Sequence, residues 1–317
     1  MRLLTYDSEG QRRVGIFVGE KIADLARLTE TLGRPELARG SMRELIGDWG
    51  RLGSGLHGLE AEAEKRKDEL SHLLAAQEDV VFLPPIPDPP KNVICLSFNY
   101  MAHVEEAIRA KAVPQSTAER LHPNFFSKAP STLIGHKAGI PKHACTQELD
   151  YEAELAVIIG RRGRDIPKGD VYDHIFGYCC ANDISARDLQ RRHRQIFKGK
   201  TLDGTCPLGP FIVPKEDYED PMSVMVQCWV NGELRQKAST SLMIHDIPST
   251  IAILSEGFTL EPGDIILTGT PPGVGYARET PTFLQVGDLV EVEVEGLGRI
   301  KNRVIQPVQF TPEEFKN

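Results

Sequence analysis

Acidic side chains alternate along one strand-like run, and their spacing could bind a metal ion. The run reads Asp-Tyr-Glu-Ala-Glu-Leu-Ala-Val-Ile-Ile-Gly and contains Asp150, Glu152 and Glu154. Because successive side chains of a strand alternate faces, these acids point the same way, together with Ala156 and Ile158. Like charges on a partly buried face need a raised pKa, a basic partner or a bound cation. We favour the cation; the alternative is a strand whose polar face begins in solvent.

A further acid stands where an apolar strand runs into a helix-starting pattern. Asp183 lies at this switch, beside an Asn and a Ser that could cap the helix. With Glu152 and Glu154 it would complete an all-oxygen ligand set, which suits Mg²⁺ or Mn²⁺ better than zinc. Alternatively, Asp183 is an ordinary helix N-cap.

A histidine and a glutamate could form a general base. His103 and Glu106 are three residues apart in a run of good helix formers, so their side chains would share one helix face. A carboxylate beside an imidazole fixes its tautomer and raises its basicity, and the pair could deprotonate a water. The alternative is a surface pair with no catalytic part.

Two basic residues could meet substrate or ligand oxygens. Lys200 follows a basic helical pattern and precedes the run 206–210, Cys-Pro-Leu-Gly-Pro, which we interpret as a turn. Arg187 is four residues after Asp183, hence one helical turn away, and could pair with the liganding acids or with a substrate carboxylate. For Lys200 the alternative is a solvated loop lysine.

A stiff loop at residues 268–275 combines three glycines with two prolines. Backbone there can approach a ligand closely, so N–H groups around Gly269, together with Thr270, could hold a substrate carboxylate. The loop lacks the Lys-Ser/Thr ending and the following helix of a phosphate-binding loop. An ordinary tight turn is the alternative.

At these positions the sequence resembles the fumarylacetoacetate hydrolase family. That family's core pattern, Asp-Tyr-Glu-x-Glu-Leu followed by Asn-Asp-x-x-x-Arg-Asp, fits the runs 150–155 and 182–188. Upstream, the run 99–106 resembles the family's Asn-Tyr-x-x-His-x-x-Glu segment. Downstream, the runs 199–210 and 268–275 resemble its later signatures.

The resemblance implies a fold and further roles for residues. It implies a β-rich α+β protein with a rolled mixed β-sheet core that contains the site, usually as a homodimer. It implies that Lys200 helps to stabilise negative charge on the substrate. Lys128, in Ser-Lys-Ala-Pro, joins the candidate substrate-binding residues, although many relatives place Pro directly after this Lys.

These parts fit one kind of reaction, in which a metal chelates a 2-oxo or enol carboxylate and makes an enolate accessible. Our first hypothesis is a Mg²⁺- or Mn²⁺-dependent hydrolase that cleaves a carbon–carbon bond of acylpyruvate-like compounds in aromatic or amino-acid breakdown. If the base delivers only a proton, or if a carboxylate is suitably placed, the protein is an isomerase or decarboxylase of a hydroxymuconate-type or 2-oxo diacid. A third hypothesis is a non-catalytic protein that binds metal and organic acids.

Composition restricts the partners. The 317 residues include 37 basic and 45 acidic side chains, so the net charge of −8 argues against general nucleic-acid binding. A local basic cluster is predicted as mostly a solvated helix face, with an anion-attracting pocket as the alternative; it contains Arg191, Arg192, Arg194, Lys198 and Lys200. The six cysteines lack Cys-x-x-Cys spacing, and no apolar stretch is long enough to span a membrane. We therefore expect a cytoplasmic protein with a small-molecule substrate.

Proline at five of the eight positions 83–90 forbids regular structure and suggests a domain boundary. We expect a small N-terminal α/β domain at 1–83, with a hairpin at 2–18 and helices near 42–49 and 60–74, and a catalytic domain at 84–317. Strands are predicted in the second domain at 92–96, 154–159, 211–213, 224–230, 265–267 and 289–294. A helix is predicted at 247–256 with Asp246 as its cap. The breaker-rich run 113–117 predicts a mobile lid between His103 and Phe125.

Overall fold

Strands dominate the part of the chain that the computed structural model describes, which is residues 1–119, 122–193 and 195–307. The strands are β1 (Leu3–Ser8), β2 (Gln11–Val18), β3 (Lys21–Asp24), β4 (Leu74–Ala75), β5 (Val81–Phe82), β6 (Val93–Ser97), β7 (Asn124–Lys128), β8 (Leu133–Ile134), β9 (Ile140–Pro141), β10 (Leu149–Asp150), β11 (Ala153–Ile159), β12 (Ile175–Asn182), β13 (Ser185–Ala186), β14 (Cys206–Pro214), β15 (Met225–Val230), β16 (Glu233–Ser239), β17 (Ile265–Leu267), β18 (Leu289–Val294) and β19 (Arg299–Ile305). The α-helices are α1 (Leu25–Thr31), α2 (Met42–Gly47), α3 (Trp49–Lys65), α4 (Met101–Arg109), α5 (Val171–His174), α6 (Arg187–Arg192), α7 (Phe197–Lys200) and α8 (Ile247–Ser255). The predicted β-rich α+β class is confirmed.

The strands form one large mixed sheet and a smaller one. The large sheet has the order β4-β3-β2-β1-β14-β12-β11-β17-β6-β7, with β5 beside β1 and β8 beside β14. Its β6–β17 and β8–β14 pairs are parallel and the other pairs antiparallel. The second sheet has the order β16-β15-β18-β19-β9, and β10 pairs separately with β13. Strand β11 is thus an interior strand, between β12 and β17.

Both faces of β11 are buried, and each face belongs to a different hydrophobic core. Leu155 and Val157 pack in the core that also contains residues of β15 and β18. Ala156 and Ile158 belong to the other core, with residues of β1, β2 and α3. The run of apolar residues in β11 follows from this double burial, as in other strands covered on both faces.

Several sequence predictions are confirmed. The N-terminal hairpin is β1–β2, and the strands predicted at 265–267 and 289–294 have those bounds. Helix α8 begins as predicted, with the Asp246 side chain accepting a hydrogen bond from Ser249 N at 2.6 Å. All six cysteines are free thiols, and all except Cys145 are buried.

The helix predicted at 60–74 is wrong, because the long helix of this region is α3, Trp49–Lys65. Four glycines in its first ten residues lower the intrinsic helix propensity and conceal the start. Burial of Leu52, Leu56, Leu59 and Ala63, which form a stripe at helical spacing, outweighs that cost.

The proline-rich run at 83–90 contains neither helix nor strand, as expected. The large sheet nevertheless continues across it, because β1 of the N-terminal part pairs with β14, with Leu3 opposite Ile212. The division into domains at 1–83 and 84–317 therefore stays a proposal. No helix of the described residues is long and apolar enough to cross a membrane.

One buried asparagine ties the corner between β6 and α4 to two distant segments. Asn99 Nδ2 donates to His245 O at 3.0 Å and to Thr268 O at 2.9 Å, and Oδ1 accepts from His245 N at 2.8 Å. Asn99 is fully buried. These bonds join the start of the helix that carries His103 to the loop that carries Thr270.

We expect Asn99→Asp to lower the free energy of unfolding by at least about 2 kcal/mol, because two buried carbonyl groups lose their donor. Urea unfolding measures the change. The matched control is Asn92→Asp, since Asn92 is exposed and its side chain bonds only Ser127 among the described residues. Equal stability of the two variants would contradict this role of Asn99.

Candidate active site

Three of the predicted acids converge at one end of the β11–β12 pair. Glu152 precedes β11, Glu154 lies within it, and Asp183 follows β12; in that pair Ala153 lies opposite Asn182. One carboxylate oxygen from each acid lies within 4.8 Å of the others, and all three residues are buried. The geometry therefore brings together the ligand set that the sequence predicts.

The predicted helix start at Asp183 is wrong. Ser185 and Ala186 form β13, which pairs with β10, so the backbone stays extended and α6 begins only at Arg187. The Asp183 N–H donates to Glu152 O at 2.8 Å. Asp183 is therefore no N-cap, and its carboxylate is free to face the other acids. The turn predicted at 206–210 is also wrong, because these residues begin β14, where Cys206 and Pro207 pair with β8 and the next two residues pair with β12.

Basic side chains hold two of the acids. Lys200 Nζ donates to Glu152 Oε2 at 2.5 Å and to Asp183 Oδ2 at 2.7 Å. Lys128 Nζ lies 2.8 Å from Asp183 Oδ1 and forms an ion pair with it, although the angles between the two groups do not fit a hydrogen bond. The same Nζ donates a hydrogen bond to Ile184 O. Burial alone would raise the pKa of Glu152, but the charges of Lys200 and Arg187 outweigh it and lower that pKa to about 2.

Arg187 lies between two acids. Its Nε donates to Asp150 Oδ2 at 2.9 Å and its Nη2 to Glu152 Oε1 at 2.6 Å. Its Nη1 donates to Gln190, and the ring of Tyr276 covers the guanidinium at 4.4 Å. The sequence predicts that Arg187 pairs with the liganding acids or with a substrate carboxylate, and the structure shows the pair with an acid, Glu152.

Glu154 has no such basic partner. Its Oε2 accepts a 2.5 Å hydrogen bond from Gly269 N, and no described Lys, Arg or His forms an ion pair with it. Burial, followed by the charges of Asp183 and Glu152, raises the pKa of Glu154 well above its usual range.

The charges in this region do not balance. Within the described residues, the buried carboxylates of Asp150, Glu152, Glu154 and Asp183 face the buried cations Lys128, Arg187 and Lys200. When all four acids are ionised, one negative charge is left over, at a place where three carboxylate oxygens converge. An all-oxygen, anionic and buried donor set fits a hard divalent cation.

The predicted base lies beside this cluster. His103 Nδ1 and Glu106 Oε1 are 2.7 Å apart on α4, and both side chains are buried. Glu106 Oε2 accepts from Gly273 N at 2.8 Å, which ties α4 to the loop at 268–275. Because the carboxylate accepts, Nδ1 carries the hydrogen, and in the neutral form of the imidazole Nε2 has the lone pair.

A cavity of about 230 Å³ joins the base to the acids. Its lining includes His103, Glu152, Glu154, Arg187, Lys200 and Thr270. The Thr270 hydroxyl donates to Ala153 O at 3.0 Å and accepts from Gln236 Nε2 at 2.8 Å. Lys128 and Gly269 contact the acids from outside the cavity lining.

The remaining sequence predictions near the site have mixed outcomes. In the basic cluster, Arg191 pairs with Glu148 and Lys200 is buried, whereas Arg194 lies outside the described residues. In the predicted lid, α4 ends at Arg109 and a 3₁₀ helix covers Gln115–Glu119; residues 120 and 121 lie outside the described part of the chain. Mobility of the lid stays a prediction.

Sequence reasoning missed three contributors to the site. Phe98 stacks on His103, Tyr276 covers Arg187, and Gln236 accepts a hydrogen bond from Ala153 N at 2.9 Å. Gln236 reaches the site from β16, far from every predicted motif, so no local spacing could indicate it, whereas Tyr276 directly follows the predicted loop at 268–275. Phe98 directly precedes the Asn-Tyr-x-x-His segment, and that adjacency was the available signal.

Comparisons with known proteins agree with this geometry. The profile of the family described as fumarylacetoacetate (FAA) hydrolase C-terminal matches residues 92–305. The chain belongs to the fumarylacetoacetate hydrolase family. Among curated relatives of this family member, an oxaloacetate tautomerase of Bacillus subtilis (strain 168) is 42% identical over 306 residues, 96% of this chain and 100% of the relative.

Two solved structures share the fold over almost the whole chain. A fumarylacetoacetate hydrolase from psychrophilic Exiguobacterium antarcticum has a TM-score of 0.77 and 36% identity, covering 97% of this chain and 100% of that chain. A maleylpyruvate hydrolase from Sphingobium sp. SYK-6, in complex with manganese(II) ion and pyruvate, has a TM-score of 0.72 and 31% identity, covering 96% and 99%. The family thus includes tautomerases and hydrolases, and membership alone does not determine the product.

We expect Glu154→Gln to weaken Mn²⁺ binding sharply while the fold persists, because the substitution removes the acid of the cluster that forms no ion pair with a described basic side chain. Calorimetric titration with Mn²⁺ and a thermal unfolding curve measure the two effects. The control is Glu261→Gln, whose acid lies on the surface, where it pairs with Arg162. Wild-type Mn²⁺ affinity in Glu154→Gln would exclude Glu154 from the metal ligands.

Proposed function

We propose that this protein catalyses keto–enol tautomerisation of a small 2-oxo diacid of the oxaloacetate type, with Mg²⁺ or Mn²⁺ as cofactor. The observation that carries this proposal is His103, which lines the same cavity as Glu152 and Glu154 and is hydrogen-bonded to Glu106 behind it. Proton transfer next to a carbonyl needs a positioned base and positive charge near the oxygen. Similarity to an oxaloacetate tautomerase over the whole length of that relative supports the substrate class.

The side chains of this protein account for the proton transfer. A divalent cation held by Glu152, Glu154 and Asp183 would supply positive charge beside the 2-oxo oxygen of the substrate. Glu106 holds the hydrogen on Nδ1 of His103, so that Nε2 takes a proton from the carbon next to the carbonyl. Delivery of that proton to oxygen instead of carbon completes the conversion of ketone to enol.

The other predicted residues receive two kinds of role. Lys200 lines the cavity, so we propose that its charge stabilises the negative charge that develops on the substrate while it also holds Glu152 and Asp183. Thr270 is the proposed substrate contact from the loop. For Lys128, Arg187 and Gly269 we propose that the contacts to the acids shown by the structure are the main function.

The size of the cavity favours a short substrate. Pockets for drug-sized ligands usually have about 300–1,000 Å³, and this one has about 230 Å³. A four-carbon diacid suits it better than an acylpyruvate with a long tail. The homodimer implied by the resemblance stays a proposal.

Hydrolytic cleavage of an acylpyruvate is the second candidate. The same base could remove a proton from a water instead of from carbon. Either substrate would present a 2-oxo carboxylate to the cation that the acids would hold. The similarity to a maleylpyruvate hydrolase that was solved with manganese and pyruvate favours it. The two functions differ in whether a carbon–carbon bond breaks.

Purified protein with Mn²⁺ or Mg²⁺ should accelerate enol–keto conversion of oxaloacetate, followed by enol absorbance, beyond the rate with the metal alone. Exchange of its C3 protons with D₂O, followed by NMR, should accelerate equally. Acetylpyruvate and fumarylpyruvate should stay intact under the same conditions. Pyruvate released from these two compounds would support hydrolysis, pyruvate formed from oxaloacetate would support decarboxylation, and metal binding without any turnover would support the non-catalytic binding protein.

We expect His103→Ala and Glu106→Gln each to lower kcat by roughly 10²- to 10⁴-fold, with Mn²⁺ affinity unchanged, because each disables the same base. The double variant should lose little more, since the two residues act as one unit. His72→Ala is the control, as His72 is exposed and, among the described residues, its ring hydrogen-bonds only the backbone oxygen of Glu69. Losses that multiply in the double variant would contradict the dyad.

A further inference from the structure

The corner between β6 and α4 places an aromatic residue in a backbone conformation that such residues rarely adopt. Phe98 follows β6 and has φ of 53°, in the left-handed region. Its Cβ makes this region unfavourable, whereas glycine would adopt it freely. Non-glycine residues persist in such conformations where surrounding contacts enforce them, and these positions cluster at functional sites.

Contacts on the C-terminal side enforce the conformation of Phe98. The side chain of Asn99 forms three hydrogen bonds to His245 and Thr268, and its main-chain oxygen accepts a fourth from Ile244 N at 2.8 Å. Helix α4 starts at Met101, only two residues later. The backbone at Phe98 is therefore held between a fixed strand end and a fixed asparagine.

This conformation brings the Phe98 ring onto His103. The two ring centroids are 5.2 Å apart and the ring planes differ by 29°, a stacked arrangement. Phe98 is half-buried and lines the same cavity as His103. Aromatic rings at this distance attract each other and restrict each other's rotation.

We propose that Phe98 is a positioning residue for the base, an inference that rests on the proposed function of His103. The hydrogen bond to Glu106 fixes only the Nδ1 edge of the imidazole, so the ring could still swing about that bond. A flat contact on one ring face removes this freedom and fixes the direction of Nε2. When Nε2 holds the proton, the electron-rich face of Phe98 also attracts the imidazolium.

The test compares Phe98→Leu with Phe98→Tyr. Leucine keeps an apolar side chain but offers no flat face, so kcat should fall by at least about tenfold. KM and Mn²⁺ affinity should stay within about twofold of wild type, because neither depends on the direction of Nε2. Tyrosine should restore kcat. The control Phe125→Leu makes the same change at another half-buried phenylalanine, outside this cavity, and should leave kcat unchanged.

Wild-type kcat in Phe98→Leu would overturn the proposal, and so would a change confined to KM, which would make Phe98 a substrate contact. His103→Ala is measured in parallel: if it retains full activity, the proposed base fails, and that failure is separate from a neutral Phe98→Leu. An NMR measurement does not depend on turnover. The imidazole protons of His103 should lose their ring-current shift in Phe98→Leu, and identical shifts in both proteins would show that the stacking is absent.

Backbone strain gives an independent readout. Phe98→Gly and Phe98→Ala both remove the ring, but glycine adopts a φ of 53° without the strain that the Cβ of alanine causes there. The glycine variant should therefore have a higher Tm than the alanine variant, although both lose kcat. A lower Tm for Phe98→Gly would contradict the enforced conformation.

Discussion

Four buried carboxylates, three of which converge on one point, are the constraint on which the arrangement of this site depends. Each buried charge costs several kcal/mol unless it is paired and hydrogen-bonded. The chain meets most of this cost with Lys128 at the end of β7, Arg187 at the start of α6 and Lys200 at the end of α7. Three separate segments must therefore dock correctly before the acids can be buried together, which links folding to assembly of the site.

The remaining negative charge connects the fold with the chemistry. Glu154 accepts a hydrogen bond from the backbone N–H of Gly269 but forms an ion pair with no cation among the described residues. A bound divalent ion would relieve the repulsion between Glu154 and the other two acids, and in the proposed reaction its charge would also act on the substrate. The loop that supplies this N–H also donates from Gly273 to Glu106. The proposed base and the acids are thus hydrogen-bonded to the same loop.

The central part of the site could be predicted from the sequence because it depends on local periodicity. Alternation along β11 fixes the common direction of Glu152 and Glu154, and helical spacing fixes that of His103 and Glu106. Asp183 lies in the cluster as predicted, but the backbone that follows it is extended and not helical. The pairing of β13 with β10 overrides the helix-starting composition there. Gln236 could not be found, because only the tertiary fold brings it to the site. Helix α3 shows the same limit for the fold, since burial of its leucines outweighs the low helix propensity of its glycines.

Burial of β11 on both faces has a consequence for how enzymes of this shape can change. Leu155 and Val157 are embedded in one core and Ala156 and Ile158 in the other, so neither side of the strand can yield without repacking a close-packed interior. The backbone that carries Glu152 and Glu154 is therefore fixed in position. New substrate preferences have to arise on the opposite side, where residues such as Val113 and Ile196 border the cavity and carry none of the charge. A designer who seeks a different small-molecule substrate would vary those walls and leave the strand untouched.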